Sequence, residues 1–156
     1  MKHWVWYLLG LLLVAAFGGM PFMGTDVAQL QPVQVVQITR AFGQVAVQTD
    51  TGDFGTGPTL DLAFEDLKRT TPGQVFLETA EFLLLATGAE NLLPELTEYL
   101  RPGCNVCLIT GEADLELAAT FLDAHPPQVT LQDCRAENVV LPLLVAYEGR
   151  LEFAQS

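Results

Sequence analysis

The chain has 156 residues, with 19 acidic and 7 basic side chains, so its formal net charge is −12. This length is enough for one domain with an ordinary core and too short for two. Because phosphate binding needs clustered lysine and arginine, the charge argues against nucleic acid as a partner. The acidic residues are scattered singly, which is typical of a solvated surface.

The first part of the chain is a long uncharged apolar segment, residues 4–22. As a helix, its 19 residues would rise about 28 Å, close to the hydrocarbon core of a bilayer at about 30 Å. Lys2 and His3 precede it, and no basic residue follows before Arg40. The positive-inside bias therefore predicts a signal-anchor helix in residues 1–23, with the N-terminus in the cytoplasm and the domain outside the cell membrane.

A cleaved signal peptide is the alternative for the same segment. The densest apolar stretch has the length of a signal-peptide core, and Ala16-Phe17-Gly18 offers small residues for cleavage. The domain would then be secreted. Both interpretations place it outside the cytoplasm, with residues 24–31 as a linker and residues 32–156 as a single extracytoplasmic domain.

The domain begins with alternating apolar and polar residues, which predict strands over 33–40 and 43–49 and a hairpin between them. The glycine-rich stretch 50–58 matches no phosphate-loop pattern and carries two aspartates, so we interpret it as a tight turn. A helix over 59–70 follows, with Thr59 as its N-cap and an apolar face at helical spacing.

Beyond this helix, buried strands alternate with helices. Such a pattern predicts consecutive βαβ units with parallel strands. Terminal hairpins add antiparallel edges, so the fold class is α/β or α+β with a mixed sheet. The predicted elements are strands at 82–86 and 105–110, helices at 91–100 and 112–124, an alternating stretch at 128–134 and a C-terminal hairpin around Glu148-Gly149.

The three cysteines are candidates for redox chemistry or a disulfide. Cys104 and Cys107 form a C-x-x-C, but the pair leads into a strand, whereas a redox pair of the thioredoxin type starts a helix. Odd spacing along a strand directs the two side chains to opposite faces. We therefore interpret Cys107 as a core residue and Cys104 as partly exposed. A disulfide from Cys134 to either one stays open for an exported protein.

Catalytic and cofactor sites are not indicated. The only serine is Ser156, the domain has one histidine, His125, and the glycine loop lacks the lysine of a phosphate site. No metal, cofactor or enzymatic activity is predicted. A small-ligand cleft could form where the parallel strands end. The residues predicted for that cleft are Thr87, Gly88, Thr110 and Gly111.

Residues 57–124 resemble the N-terminal domain of Ger(x)C-type spore germination proteins. The shared pattern is a glycine-rich loop before a G-x-[ST]-L-x-x-A helix, then a strand, a helix ending in arginine, and another strand and helix. Its positions here are Gly57, Thr59, Leu60, Ala63 and Arg101. The resemblance implies an extracytoplasmic receptor subunit on the spore inner membrane, without catalytic residues.

Taken together, these features predict a non-enzymatic, membrane-tethered domain whose partners are other membrane or envelope proteins, linked by resemblance to sporulation or germination. Two alternatives are an exported thioredoxin-like redox protein that uses Cys104 and Cys107, and a small-ligand binding domain.

Overall fold

A computed structural model of the chain describes residues 30–136 and 139–154. Nine strands and three α-helices lie within these residues, joined by turns and short 3-10 segments. The strands are β1 (Leu30–Pro32), β2 (Val35–Ala41), β3 (Gln44–Thr49), β4 (Phe54–Gly57), β5 (Gln74–Phe76), β6 (Phe82–Ala86), β7 (Asn105–Thr110), β8 (Leu143–Tyr147) and β9 (Arg150–Phe153). The helices are α1 (Leu60–Thr70), α2 (Leu93–Leu96) and α3 (Leu115–Ala124).

Seven of these strands form one mixed sheet in the order β4-β3-β2-β6-β7-β8-β9. Strands β2, β6, β7 and β8 are parallel to their neighbours in this series. The outer pairs β2–β3, β3–β4 and β8–β9 are antiparallel. The predicted mixed sheet, with parallel strands in the middle and hairpins at both ends, is confirmed. A separate parallel pair, β1 and β5, lies beside the point where the described chain begins.

Both predicted hairpins turn through two residues of positive φ. Phe42 and Gly43 have φ of 52° and 77°, and Glu148 and Gly149 have φ of 49° and 73°. Two consecutive left-handed residues match the twist of a two-residue hairpin loop, which explains the glycine in each.

Helix α1 agrees with the prediction from its sequence. The Thr59 hydroxyl accepts a hydrogen bond from the Leu62 N–H at 3.4 Å, and the helix runs to Thr70. Its predicted apolar residues are all buried against the sheet. They are Leu60, Ala63, Phe64 and Leu67.

Our interpretation of the glycine-rich stretch before α1 as a tight turn was wrong for its second half, because residues 54–57 form strand β4. An ideal Cβ on Gly55 would lie 2.4 Å from the Ala63 carbonyl oxygen, and one on Gly57 would lie 2.7 Å from the Ala63 nitrogen. These two glycines therefore permit helix α1 to pack directly on the backbone of β4.

The predicted helix over 91–100 is shorter than expected. A 3-10 segment at Glu90–Leu92 leads into the single turn of α2, which ends at Leu96. The Thr97 hydroxyl donates to the Pro94 carbonyl at 2.8 Å, and the Tyr99 N–H donates to the Leu96 carbonyl at 3.1 Å. This tightening replaces the regular helical ladder in the second half of the segment.

Helix α3 lies on the opposite face of the sheet from α1 and α2. Asp114 caps it by accepting hydrogen bonds from the Glu116 and Leu117 N–H groups at 2.9 and 3.4 Å. We call the two sides of the sheet the α1 face and the α3 face. Strand residues buried on the α1 face are Val36, Ile38, Val45, Val47, Leu83, Leu85 and Val106. Those buried on the α3 face are Val35, Phe82, Leu84, Cys107, Ile109 and Leu144.

The connection from α3 to β8 crosses from one face to the other. Its residue Leu131 is buried in the α1-face core, and Leu141 packs against the same core. The alternation over 128–134 predicted a strand, but the structure contains only one isolated bridge, between Thr130 and Asn105. The Asp133 carboxylate accepts from the Thr130 N–H at 2.9 Å, which turns the chain instead of extending it.

The predicted signal-anchor or signal-peptide helix, residues 1–23, lies outside the described residues, as does most of the predicted linker 24–31. Within the described ranges, none of the helices has the length and apolar character needed to cross a bilayer.

Candidate functional site

The predicted ligand cleft corresponds to two turns at the carboxyl edge of the sheet. Thr87 and Gly88 follow β6, Thr110 ends β7 and Gly111 follows it, and β6 pairs with β7, so the structure brings the four residues to the same edge. All four are exposed.

The geometry of these turns is explained by backbone requirements. Gly88 and Gly111 have φ of 96° and 90°, and a Cβ on Gly111 would lie 2.1 Å from the Ala146 carbonyl oxygen. The Gly88 N–H donates to the Glu90 carboxylate at 2.7 Å. The Gly88 N–H, which could otherwise bind an anionic ligand, therefore already donates to a carboxylate of the chain itself.

The two cysteines of the C-x-x-C lie on opposite faces of β7 and its entry. Cys104 belongs to the α1-face core and Cys107 to the α3-face core, as the odd spacing predicted. Both are fully buried, which corrects the expectation that Cys104 is partly exposed. Burial raises the pKa of each thiol to about 12. The thiolate, which is the reactive form, is strongly disfavoured at both positions.

Cys134 is the most accessible of the three thiols, and all three are free. Its thiol donates to the Thr130 carbonyl at 3.3 Å. Partial burial, followed by the neighbouring Asp133 carboxylate, raises its pKa. His125 lies at the C-cap of α3, where its ring stacks on Phe121 with 4.9 Å between centroids. Within the described residues, no three His, Cys, Asp or Glu side chains converge to hold a metal ion.

Four carboxylates on α1 and at the start of α3 are exposed, and Asp61 has a partner from another segment. They are Asp61, Glu65, Asp114 and Glu116. The Tyr99 hydroxyl donates to the Asp61 carboxylate, and the Tyr99 ring stacks on Phe64 with 4.3 Å between centroids. The hydrogen bond to Asp61, together with partial burial, raises the pKa of Tyr99 to about 12. This contact fixes α1 against the segment that follows α2 and has no feature of a catalytic pair.

An apolar groove lies where the β8–β9 hairpin meets the connection from α3. Its volume is about 510 Å³, and it is lined by residues 126–129, 140–143 and 153–154. None of these residues is charged, and Gln128 is the one with a polar side chain. Val140 is 86% exposed at its rim. An uncharged apolar surface of this kind on a chain of net charge −12 is the strongest candidate for a binding site.

The groove lies at the amino edge of the parallel strands, opposite the predicted cleft. Leu143 begins β8, Phe153 ends β9, and Val129 accepts a hydrogen bond from Val106 near the start of β7 at 2.8 Å. Strand β1 leads into β2, which is parallel to β6, β7 and β8 in this sheet, so the described chain enters at this same edge.

Sequence reasoning missed this groove, although the sequence contains a signal for it. Pro126 and Pro127 follow α3 directly, and Pro142 interrupts the apolar run before β8. Prolines fix the backbone without offering N–H donors, so these segments present apolar rings and side chains where a strand would pair.

No family model matches this chain, and comparisons with the curated proteins and with the solved structures gave no match.

Proposed function

We propose that this chain is a non-enzymatic interaction domain held outside the cytoplasm at a membrane, and that its groove binds an apolar segment of a membrane or envelope protein. The observation that carries the proposal is the uncharged groove of about 510 Å³ on an acidic domain. Exposed apolar patches rimmed by polar surface are typical of protein-binding sites.

The chemistry of the groove favours a protein segment as its occupant. Its lining is aliphatic and proline-rich, with Phe153 at one end, and it offers no charged group to an ionic ligand. Anionic lipid headgroups would face the net charge of −12 and be repelled, so the lipid surface itself is a poorer match. An uncharged, extended apolar peptide meets neither obstacle.

The placement of the groove agrees with a membrane tether. The apolar residues 4–22 precede the described chain, which enters the domain at the amino edge of the sheet. A tether at that edge would hold the groove towards the membrane. The partners that such a geometry favours are neighbouring membrane proteins with apolar segments near the bilayer surface.

Site-specific photocrosslinking tests the groove. A benzophenone amino acid at Val140 in the native cells should yield a recurrent crosslink to one apolar peptide of a membrane or envelope protein. The same label at Leu117, which is 42% exposed on α3 and away from the groove, is the matched control. Crosslinks to lipid alone, or the same products from both positions, would contradict the proposal.

Membrane fractionation with protease digestion tests the location. The domain should be degraded by protease added outside intact cells whose outer layers have been removed, and it should stay with the membrane when the anchor is retained. Recovery of the intact chain in the soluble cytoplasmic fraction would contradict the proposal that the domain is tethered to a membrane.

A role in sporulation or germination rests on the resemblance of residues 57–124 to the Ger(x)C-type domain. We propose it as the biological setting of the interaction domain. If it is right, the gene should lie beside sporulation or germination genes, and its deletion should alter germination. A neighbourhood unrelated to spores, with normal germination of the deletion strain, would remove this part of the proposal.

Thiol alkylation distinguishes the proposed interaction domain from the redox alternative. Since burial raises the pKa of Cys104 and Cys107 to about 12, we expect both to resist alkylation near neutral pH in the folded chain. Cys134, which is half-buried, should react first. Mass spectrometry of the labelled peptides over a pH series measures this order. A disulfide between Cys104 and Cys107, or rapid labelling of either, would favour the redox protein instead.

A further inference from the structure

The outer edge of β9 has no partner among the described strands. β9 is the last strand of the sheet order and pairs only with β8. The Ala154 N–H donates to the Leu143 carbonyl at 2.8 Å, which identifies that pair as hydrogen-bonded. Hydrogen-bonded and non-hydrogen-bonded pairs alternate along an antiparallel ladder. Leu151 and Phe153 therefore direct their N–H and carbonyl groups outwards, away from β8.

We propose that a second copy of this chain pairs with β9 along this edge, in an antiparallel register centred on Leu151. The backbone groups of Leu151 then bond reciprocally to those of Leu151 in the second copy. This arrangement obeys a two-fold axis, which is the commonest symmetry of soluble homo-oligomers. It joins two sheets into one continuous sheet and leaves both β8–β9 hairpins unchanged.

Charge complementarity selects this register. When Leu151 is opposite itself, Arg150 is opposite Glu152 of the second copy, and Glu152 is opposite Arg150. Both side chains are exposed, and neither forms an ion pair within the described residues. The pairs are of the non-hydrogen-bonded type at the new interface, in which directly opposite side chains approach most closely. Two favourable contacts therefore form from one strand of four residues.

The neighbouring registers are less favourable. The outward groups of Leu151 and Phe153 also permit a shift of the axis towards either end of the strand. A shift towards the C-terminus places Glu152 opposite Glu152, and a shift towards the hairpin turn places Arg150 opposite Arg150. Like charges directly opposite each other are destabilising in an antiparallel pair.

The other side of the strand supplies apolar contact. Leu151 and Phe153 are half-buried on the α3 face, and the Phe153 ring lies 5.7 Å from that of Phe121. In the proposed register Leu151 meets Leu151 of the second copy beside this aromatic pair. The strand is short, and a single strand pair buries less than a standard stable interface. We therefore expect a concentration-dependent dimer and not an obligate one.

Charge reversal at the two positions tests the register. In the full chain, Arg150→Glu places four carboxylates along the pair and Glu152→Arg places four guanidinium groups there. Each single variant should weaken self-association by about tenfold or more in sedimentation velocity at fixed ionic strength. An equimolar mixture of the two variants should associate again, since every opposite pair in the mixed dimer is complementary. The double variant should likewise recover.

Matched controls separate the register from net charge and from the N-terminal segment. Arg40→Glu on β2 and Glu65→Arg on α1, which covers the opposite end of the sheet, change the net charge equally at exposed sites, and they should leave association unchanged. Residues 1–29 are the same in every variant, so association through them cannot produce recovery on mixing. A monomeric wild type over the full concentration range, unaffected single variants, or a mixture without recovery would each overturn the proposal. The Val140 crosslink does not depend on this edge, so the two proposals can fail separately.

Discussion

The two edge strands of the sheet, β4 and β9, differ in whether another element bonds to their outer backbone groups. At one end, β4 is covered by helix α1, and its outward backbone groups are bonded by side chains of that helix. The Thr56 N–H donates to the Asp66 carboxylate at 3.0 Å, and the Thr70 hydroxyl donates to the Phe54 carbonyl at 3.0 Å. At the other end, no described strand pairs with the outer edge of β9.

This difference shows how one sheet can both resist and permit edge pairing. An uncovered edge is a template for another strand, and proteins commonly block such edges with helices, charges or loops. Here the glycines of β4 let α1 approach closely enough to bond the edge. The two exposed charges of β9, Arg150 and Glu152, are of opposite sign and complement those of a second copy in the register proposed above. We interpret the closed edge as structural and the open edge as a site for association. Four substitutions test that contrast.

The largest expected effect is at the closed edge, in Gly55→Ala. The added Cβ would be placed 2.4 Å from the Ala63 carbonyl oxygen and the Leu67 nitrogen, and backbone atoms cannot move aside singly. We expect a loss of about 3 kcal/mol in the free energy of unfolding, measured by chemical denaturation. Gly103→Ala is the matched control, since nothing lies within 4 Å of its Cβ position. Equal losses in both variants would contradict the close packing of α1 on β4.

A smaller effect is expected from Thr70→Val, which keeps the shape of the side chain and removes its hydroxyl. The Phe54 carbonyl at the closed edge then loses its donor, and we expect a loss of about 1 kcal/mol in unfolding free energy. Thr120→Val is the control, because among the residues that the structure describes that hydroxyl bonds only to the Glu116 carbonyl of its own helix. If the two variants lose equal stability, edge bonding by Thr70 has no special role.

Asp66 makes the closed edge sensitive to acid. The Thr56 N–H and the Arg69 guanidinium both donate to it, and they hold the pKa of this carboxyl below its usual value. Its contribution to stability is therefore present above the unfolded pKa of about 3.9 and is lost as pH falls through the lower folded pKa. Asp66→Asn should be less stable than the wild type at neutral pH and converge with it in acid. Parallel unfolding curves across this pH range would contradict this reading.

The smallest effect on the fold is expected at the open edge. Arg150→Glu changes an exposed residue without an ion pair in the described chain, so unfolding free energy should change by no more than about 0.5 kcal/mol. The same variant is one of the two single variants expected to weaken self-association. A large loss of stability would mean that β9 supports the fold itself and that the two edges differ less than we infer.

Local signals were sufficient for much of the fold. Helix α1 was predicted with its cap and its buried face because Thr59 and the apolar spacing act within a single helix. The strand at 105–110 was also predicted from a local pattern, because continuous apolar residues bounded by turns favour a buried strand. The opposite placement of Cys104 and Cys107 followed from strand geometry alone.

Features that depend on distant contacts were not predictable. Gly55 and Gly57 looked like turn residues, and their reason becomes visible only when α1 is packed against them. The alternation over 128–134 indicated a strand, but the Asp133 carboxylate turns the chain there. The strand that pairs with the C-terminal half of β7 is β8. The apolar groove combines three separate segments, residues 126–129, 140–143 and 153–154, so its prolines indicate a surface only once these segments are brought together.

The crossing connection between α3 and β8 has a consequence for the order of folding. Leu108 pairs with Leu143, which lies 35 positions later in the chain. The hairpin β8–β9 can form by itself from adjacent residues, but it joins β7 only after the intervening segment has passed from one side of the sheet to the other. Closing such a long loop has a high entropic cost and slows folding. We therefore expect this end of the sheet to be completed last, so that nascent chains present a finished α1 end before β9 reaches its position.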